Sequence, residues 1–234
     1  MPLQRYTAIT NAEFYSLSQL PPKPAWMACH FSGYNSGLSN MPDMFPADSL
    51  IMLDDSAPIQ GHDPQRILQE LTQLCEQIKP AGFLLDFQRA GIPEAAQLAK
   101  RLCRELPCPV AVSHLYAEDL ECPVFLPPPP LHKPLAEHLK SWGSREIWLE
   151  IALDSVDITV TREGCQVSAR GFGELPEPVF YHEELFCRYH TQVLKDRVIF
   201  SLQRTQQEWD SLLLKAEAHG ITCCVGLYES PKSP

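Results

Sequence analysis

Eight short apolar runs, most of them continuous rather than alternating, recur along this 234-residue chain and restrict it to one broad architecture. They occupy residues 26–31, 50–53, 83–87, 110–115, 124–126, 147–153, 198–202 and 221–227. A continuous run is the pattern of a strand buried on both faces, and such strands belong to parallel sheets covered by helices. Helical patterns fill several gaps. Asp63-Pro64 opens one, an acidic cap followed by Pro at the first position, with apolar residues through Ile78. A second begins near Pro93 and runs through Cys103, and a third covers 135–142. Thr205 with Glu208 forms a capping box for a fourth, which stops at His219-Gly220.

Strands alternating with helices give the fold class α/β, and eight of them give a compact, irregular (β/α)8 TIM-type barrel. Such barrels usually take about 250 residues, so some connections must be trimmed. Residues 32–48 read as loop, and the stretch between Leu115 and Cys122 is shorter than the roughly 12 residues of a parallel crossover. Residues 1–24, ending in Leu20-Pro21-Pro22-Lys23-Pro24, read as a leader, with 25–234 as one barrel domain. Alternation over 157–161 and 166–170 adds an inserted antiparallel hairpin at about 156–171. Pro127–Pro130 reads as a rigid connector.

Two stretches resemble each other. Phe83-Leu84-Leu85-Asp86-Phe87-Gln88-Arg89, a helix, then Val112 to Glu118 runs strand, Gln-Arg, helix, strand, Leu-Tyr, Glu. Ile199 to Arg204, a helix, then Val225 to Glu229 runs the same way. Counted as strands three and four against seven and eight, these are the two halves of a half-barrel repeat.

Barrel active sites sit at the C-terminal ends of the strands. Asp54, Asp55, Asp86, Gln88, Arg89, Tyr116, Glu118, Asp119, Glu150, Gln203, Arg204, Tyr228 and Glu229 all fall at such ends. In this reading Asp54, Asp86 and Gln88 contact a ligand, and Arg89 and Arg204 clamp it by bidentate hydrogen bonds. Tyr116 and Tyr228 stack on it. The implied ligand is small and polar or anionic, of carbohydrate type. For a paired-carboxylate hydrolase the candidate acids are Asp86, Glu118, Glu150 and Glu229. The plainer reading of any one of these is a rim charge paired with its neighbour, which would make the chain an interaction protein.

The balance of 19 basic against 29 acidic residues, a formal charge of −10, argues against nucleic acid, and no run is long enough to span a membrane. Nine cysteines without a Cys-x-x-Cys pair, and an N-terminus unlike a secretory signal, point to reduced thiols in the cytoplasm. No metal or other cofactor is expected. His182 and His190, eight apart on an expected helix, have no third ligand, and His30 and His114 lack a nucleophile partner.

The run Pro80-Ala81-Gly82-Phe83-Leu84-Leu85-Asp86-Phe87-Gln88 resembles the catalytic strand of family 18 glycoside hydrolases, whose pattern is Asp-Gly-x-Asp-x-Asp-x-Glu. Gly82 and Asp86 match. Ala81, Leu84 and Gln88 stand where the family has its first and second aspartates and its catalytic glutamate. The resemblance implies a glycosidase-type barrel, and Gln88 in place of a proton donor implies that chitinase chemistry is lost. The rest of the chain reads as a bacterial protein with no further enzyme motif.

Overall fold

The computed structural model describes residues 3–34 and 36–227. The chain divides into two compact units. One comprises the described parts of Met1–Pro127, Arg145–Glu150 and Ile221–Pro234, the other Pro128–Ser144 and Ile151–Gly220.

The strands, in chain order, are β1 (Gln4–Ile9), β2 (Pro24–Phe31), β3 (Leu38–Ser39), β4 (Leu50–Asp54), β5 (Gly82–Asp86), β6 (Val110–Ser113), β7 (Val124–Leu126), β8 (Ile147–Ile151), β9 (Asp154–Thr161), β10 (Cys165–Ala169), β11 (Phe180–His182), β12 (Cys187–Val193), β13 (Arg197–Arg204) and β14 (Ile221–Leu227). The helices are α1 (Asn11–Ser16), α2 (Pro64–Ile78), α3 (Pro93–Glu105), α4 (Leu135–Leu139) and α5 (Gln206–Leu213).

In the first unit β1, β2, β4, β5, β6, β7, β8 and β14 form a closed parallel barrel, β1 pairing with both β2 and β14. Every barrel strand contributes to one interior cluster: Tyr6 and Ala8, Ala25, Leu50, Leu84, Ala111, Phe125, Trp148, and Cys223 with Val225. Large and small side chains share that layer, so the barrel is filled rather than hollow. The opposite faces of the central strands, with Ile51, Leu53, Phe83, Leu85 and Val112 among them, are fully buried as well. That double burial is why these strands read as unbroken apolar runs.

Gly82 is needed by packing. A Cβ there would lie 2.8 Å from the Pro109 carbonyl oxygen and 3.2 Å from the Trp148 ring. Gly82→Ala is therefore expected to cost about 1–3 kcal/mol, read as a lower urea midpoint at unchanged slope.

The helix signals hold. Asp63 accepts from the Gln65 amide at 2.9 Å with Pro64 in the first turn of α2, and α3 starts at Pro93. Among the described residues, the 32–48 connection contains only the short β3, and the β6–β7 connection has no helix. The Arg145 guanidinium holds that abbreviated crossover, donating to the carbonyls of Ala117, Leu120 and Cys122.

Several expectations are corrected. Residues 1–24 are not merely a leader, because Gln4–Ile9 is a barrel strand in register with β14 and β2. Its outward residues Arg5 and Thr7 keep some exposure, so it alternates where the central strands do not. Residues 198–202 are not the seventh barrel strand. They belong to β13, which pairs antiparallel with β9 and β12 in the five-stranded sheet β10-β9-β13-β12-β11 of the second unit. The half-barrel repeat therefore lapses: its first copy lies on two parallel barrel strands, and its second begins on an antiparallel one. The expected hairpin is present as β9–β10 but is part of that larger sheet. His182 and His190 lie on β11 and β12 rather than on a helix.

The second unit has its own small core of Leu131, Cys187 and Leu202, flanked by Val156, Ile158, Tyr189 and Phe200. The capping box of α5 forms as its sequence implies, with the Glu208 carboxylate taking the Thr205 amide at 2.9 Å.

Candidate functional site

The site follows from the two-residue period of the barrel strands. Leu84 on β5 lies in the interior layer, so Asp86 stands on the same face one step nearer the C-terminal mouth. The same step leads from Ala111 to Ser113 on β6, from Phe125 to Pro127 just past β7, and from Trp148 to Glu150 on β8. These four upper residues, joined by Gln88, His114, Leu115 and Phe125, line a cavity of about 270 Å³. Its floor is the filled barrel core.

Asp86 and Glu150 dominate its electrostatics. Burial lifts the Asp86 carboxyl above the usual aspartate range; the hydrogen bond from the Gln88 amide opposes this, and the charges of Asp54 and Asp55 add to it. Burial also lifts Glu150, with Asp86 as the second cause. Burial holds the half-buried His114 ring below its usual range, so it is neutral at physiological pH.

A raised carboxyl favours the protonated native state. That stabilisation is complete below the unfolded pKa and disappears as pH rises through the raised native value. Asp86→Asn removes a charge that pushes Glu150 upward. The Glu150 carboxyl is then expected to titrate at lower pH, which its carbon resonance would follow in an NMR titration. An unmoved Glu150 would show that the two carboxyls do not sense each other.

Around this cavity, several rim residues serve the scaffold. Asp55, only 4% exposed, accepts from the backbone amides of Gln88 (2.9 Å) and Arg89 (3.0 Å), fixing the chain just beyond β5. Gln88 is exposed and its side-chain amide donates to Asp86 Oδ2 at 3.1 Å. Arg89 donates to the Ser56 carbonyl. The Tyr116 hydroxyl donates to the Arg89 carbonyl and accepts from the Ile92 amide at 3.1 Å, while its ring meets Phe87 edge-on at 6.1 Å. Asp54 aligns with Asp86 across β4 and β5 and caps the Ser56 amide.

Of the residues expected at the site, Asp86, Gln88 and Glu150 line the cavity. Asp54, Arg89 and Tyr116 surround the same strand ends without lining it. Glu118 is exposed in the β6–β7 connection, beside a separate concavity that includes Arg145 and Glu146. Arg204 belongs to the second unit and is 1% exposed. Its guanidinium donates to the carbonyls of Pro129 (2.7 Å), Leu185 (2.8 Å) and Phe186 (3.1 Å) and lies 5.0 Å over the Trp209 ring. It is a structural bridge, and the expected Arg89–Arg204 clamp loses that member. Tyr228 and Glu229 lie outside the described residues. Ser113, Leu115, Phe125 and Pro127 were not expected as lining residues, and His114, which lacked a nucleophile partner in the sequence, also lines it. The period-two step from the interior layer would have found Ser113 and Pro127. Among the described residues no group of three metal-ligating side chains converges.

No family profile and no curated protein matches the chain. Solved structures do. The chitinase-like agglutinin RobpsCRA from Robinia pseudoacacia superposes with a TM-score of 0.59 at 11% identity, over 97% of this chain and 95% of that one. A family 18 chitinase from Cycas revoluta in complex with (GlcNAc)3 gives 0.58 at 12%, over 95% and 94%. The spore cortex-lytic enzyme SleL from Bacillus megaterium gives 0.57 at 10%, over 96% and 70%. The barrel has the fold of these proteins. At such low identity the likeness establishes the fold, in agreement with the weak motif resemblance on β5. In this glycosidase-like barrel, two of the motif's departures are structural: Leu84 and Ala81 pack in and against the interior core. A carboxylate at either place would lie among apolar side chains.

Proposed function

We propose that this chain is a sugar-binding barrel of glycosidase type, which holds a small polar carbohydrate unit at the Asp86–Glu150 cavity and does not perform family 18 hydrolysis. The observation that carries this is Gln88: in the motif resemblance it stands where the family has its proton donor, and its amide is committed to Asp86. An amide cannot protonate a leaving oxygen. What remains suits binding. Two carboxylates, the Ser113 hydroxyl and the neutral His114 ring offer polar partners for hydroxyl groups, with Phe125 and Pro127 as apolar walls. A cavity of about 270 Å³ lies just below the usual range of ligand sites, which suits no more than one sugar unit. Among its lining residues there is no Lys or Arg, and two carboxylates repel an anion, so the ligand is neutral or cationic rather than anionic. The neighbours fit this reading, one being an agglutinin and another holding (GlcNAc)3. Nine cysteines with no disulfide among them fit a cytoplasmic setting.

One observation favours a second reading, an active hydrolase. Burial and the Asp86 charge keep a proton on Glu150 to higher pH, as a general acid requires. Calorimetric titration with (GlcNAc)3, alongside product analysis of the same mixture, separates the two. The binding reading expects heat of binding, no shortened sugars, and at least about a 10-fold loss of affinity in Asp86→Ala. Shortened sugars that vanish in Glu150→Gln would establish the hydrolase instead. Neither heat nor products with any neutral sugar tried would leave an interaction protein.

A further inference from the structure

Two of the nine cysteines meet away from the Asp86–Glu150 cavity. The Sγ atoms of Cys75, in the last turn of α2, and Cys108, in the loop after α3, lie 3.6 Å apart, which is van der Waals contact. The pair joins the end of α2 to the segment that follows α3.

The surroundings suit exchange chemistry. Cys108 is partly exposed, so a small disulfide can reach it, and the Cys75 sulfur lies within contact of its own. Either thiol can donate to the other, and that hydrogen bond favours a thiolate at whichever sulfur accepts. Four other buried thiols are held protonated, since burial raises Cys187, Cys224, Cys223 and Cys29.

We propose that Cys75–Cys108 is a reversible disulfide site, closed by a low-molecular-weight disulfide such as oxidised glutathione, that ties the end of α2 to the segment after α3 when thiol balance becomes oxidising. The thiolate of one cysteine attacks one sulfur of the small disulfide, leaving a mixed disulfide and releasing one small thiolate. The second cysteine loses its proton, attacks the protein sulfur of the mixed disulfide and expels the other small thiolate. Two protein thiols become one disulfide, and one small disulfide becomes two thiols that carry the two protons. The bridge closes a segment whose ends are 33 residues apart, which restricts the unfolded chain.

The test incubates the full chain with oxidised glutathione, counts free thiols after denaturation, and maps crosslinked peptides by mass spectrometry. The count is expected to fall from nine to seven, with the named bridge, and dithiothreitol should restore it. Oxidation should raise the Tm by about 5–15 °C. Cys108→Ser should form no protein disulfide and lose the rise in Tm. The proposal is overturned if Cys75 and Cys108 stay reduced, if either of them bridges another cysteine, or if glutathione remains attached to single residues.

Discussion

Arg204→Met lowers the stability of the chain by about 3–5 kcal/mol. The guanidinium is among the largest fully buried side chains, and it satisfies three backbone carbonyls on two segments, Pro129 on one and Leu185 and Phe186 on the other. Methionine fills the volume but donates nothing, so three acceptors are left without water or partner. Burial of the charge works against the native residue, as the lowered arginine pKa shows, and keeps the net loss below the sum of three charge-assisted bonds. Arg204→Lys should recover less than half, because one ammonium cannot reach three divergent carbonyls. Urea unfolding followed by tryptophan fluorescence measures this, since the Trp209 ring lies against the guanidinium. A loss under about 1 kcal/mol would show that water or a neighbouring donor replaces the guanidinium.

The second large effect is at Asp55. Its two carboxylate oxygens each take one backbone amide, at Gln88 and Arg89, and the side chain is sealed from solvent. Asp55→Ala strands both amides and is expected to cost about 2–4 kcal/mol. Gln88 and its bond to Asp86 ride on those amides, so sugar affinity should fall as well. Asp55→Asn keeps one acceptor oxygen and should lose about half as much. Stability measured by urea and affinity by calorimetry on the same variants would separate the two consequences. A destabilised variant with unchanged affinity would show that the strand end does not shape the cavity.

The barrel was legible where strands are sealed on both sides. Residues 83–87 and 110–115 read as continuous apolar runs because helices cover one face and the interior layer covers the other. β1 was missed because its outer residues stay partly exposed, which makes a parallel strand look like a leader. β13 was misplaced for the converse reason: Val198, Phe200 and Leu202 share one face of an antiparallel sheet, and Ile199 on the other face completes an apparent unbroken run. Its neighbour β12, with Arg188, His190 and Gln192 on alternate positions, carries the antiparallel signature more clearly.

At the site, the charged members were visible because acids at strand ends draw notice. Asp86 and Glu150 line the cavity, whereas Asp55, equally acidic, braces a loop. No local pattern distinguishes these roles, because they depend on which backbone amides fold back toward the carboxylate. Arg204 shows the same limit. Gln-Arg before a capping box resembles Gln88-Arg89, yet burial among carbonyls gives it a purely structural task. Ser113, Phe125 and Pro127 carry no charge, and only the register of β5 through β8 assembles them around one space.

The most direct test of the central claim is to follow the Glu150 carboxyl and His114 ring resonances by NMR while (GlcNAc)3 is added. The account predicts saturable shifts at both groups, lost in Asp86→Ala, with the sugar recovered intact. Shifts confined to residues elsewhere, or none at saturating sugar, would contradict a carbohydrate site at the Asp86–Glu150 cavity.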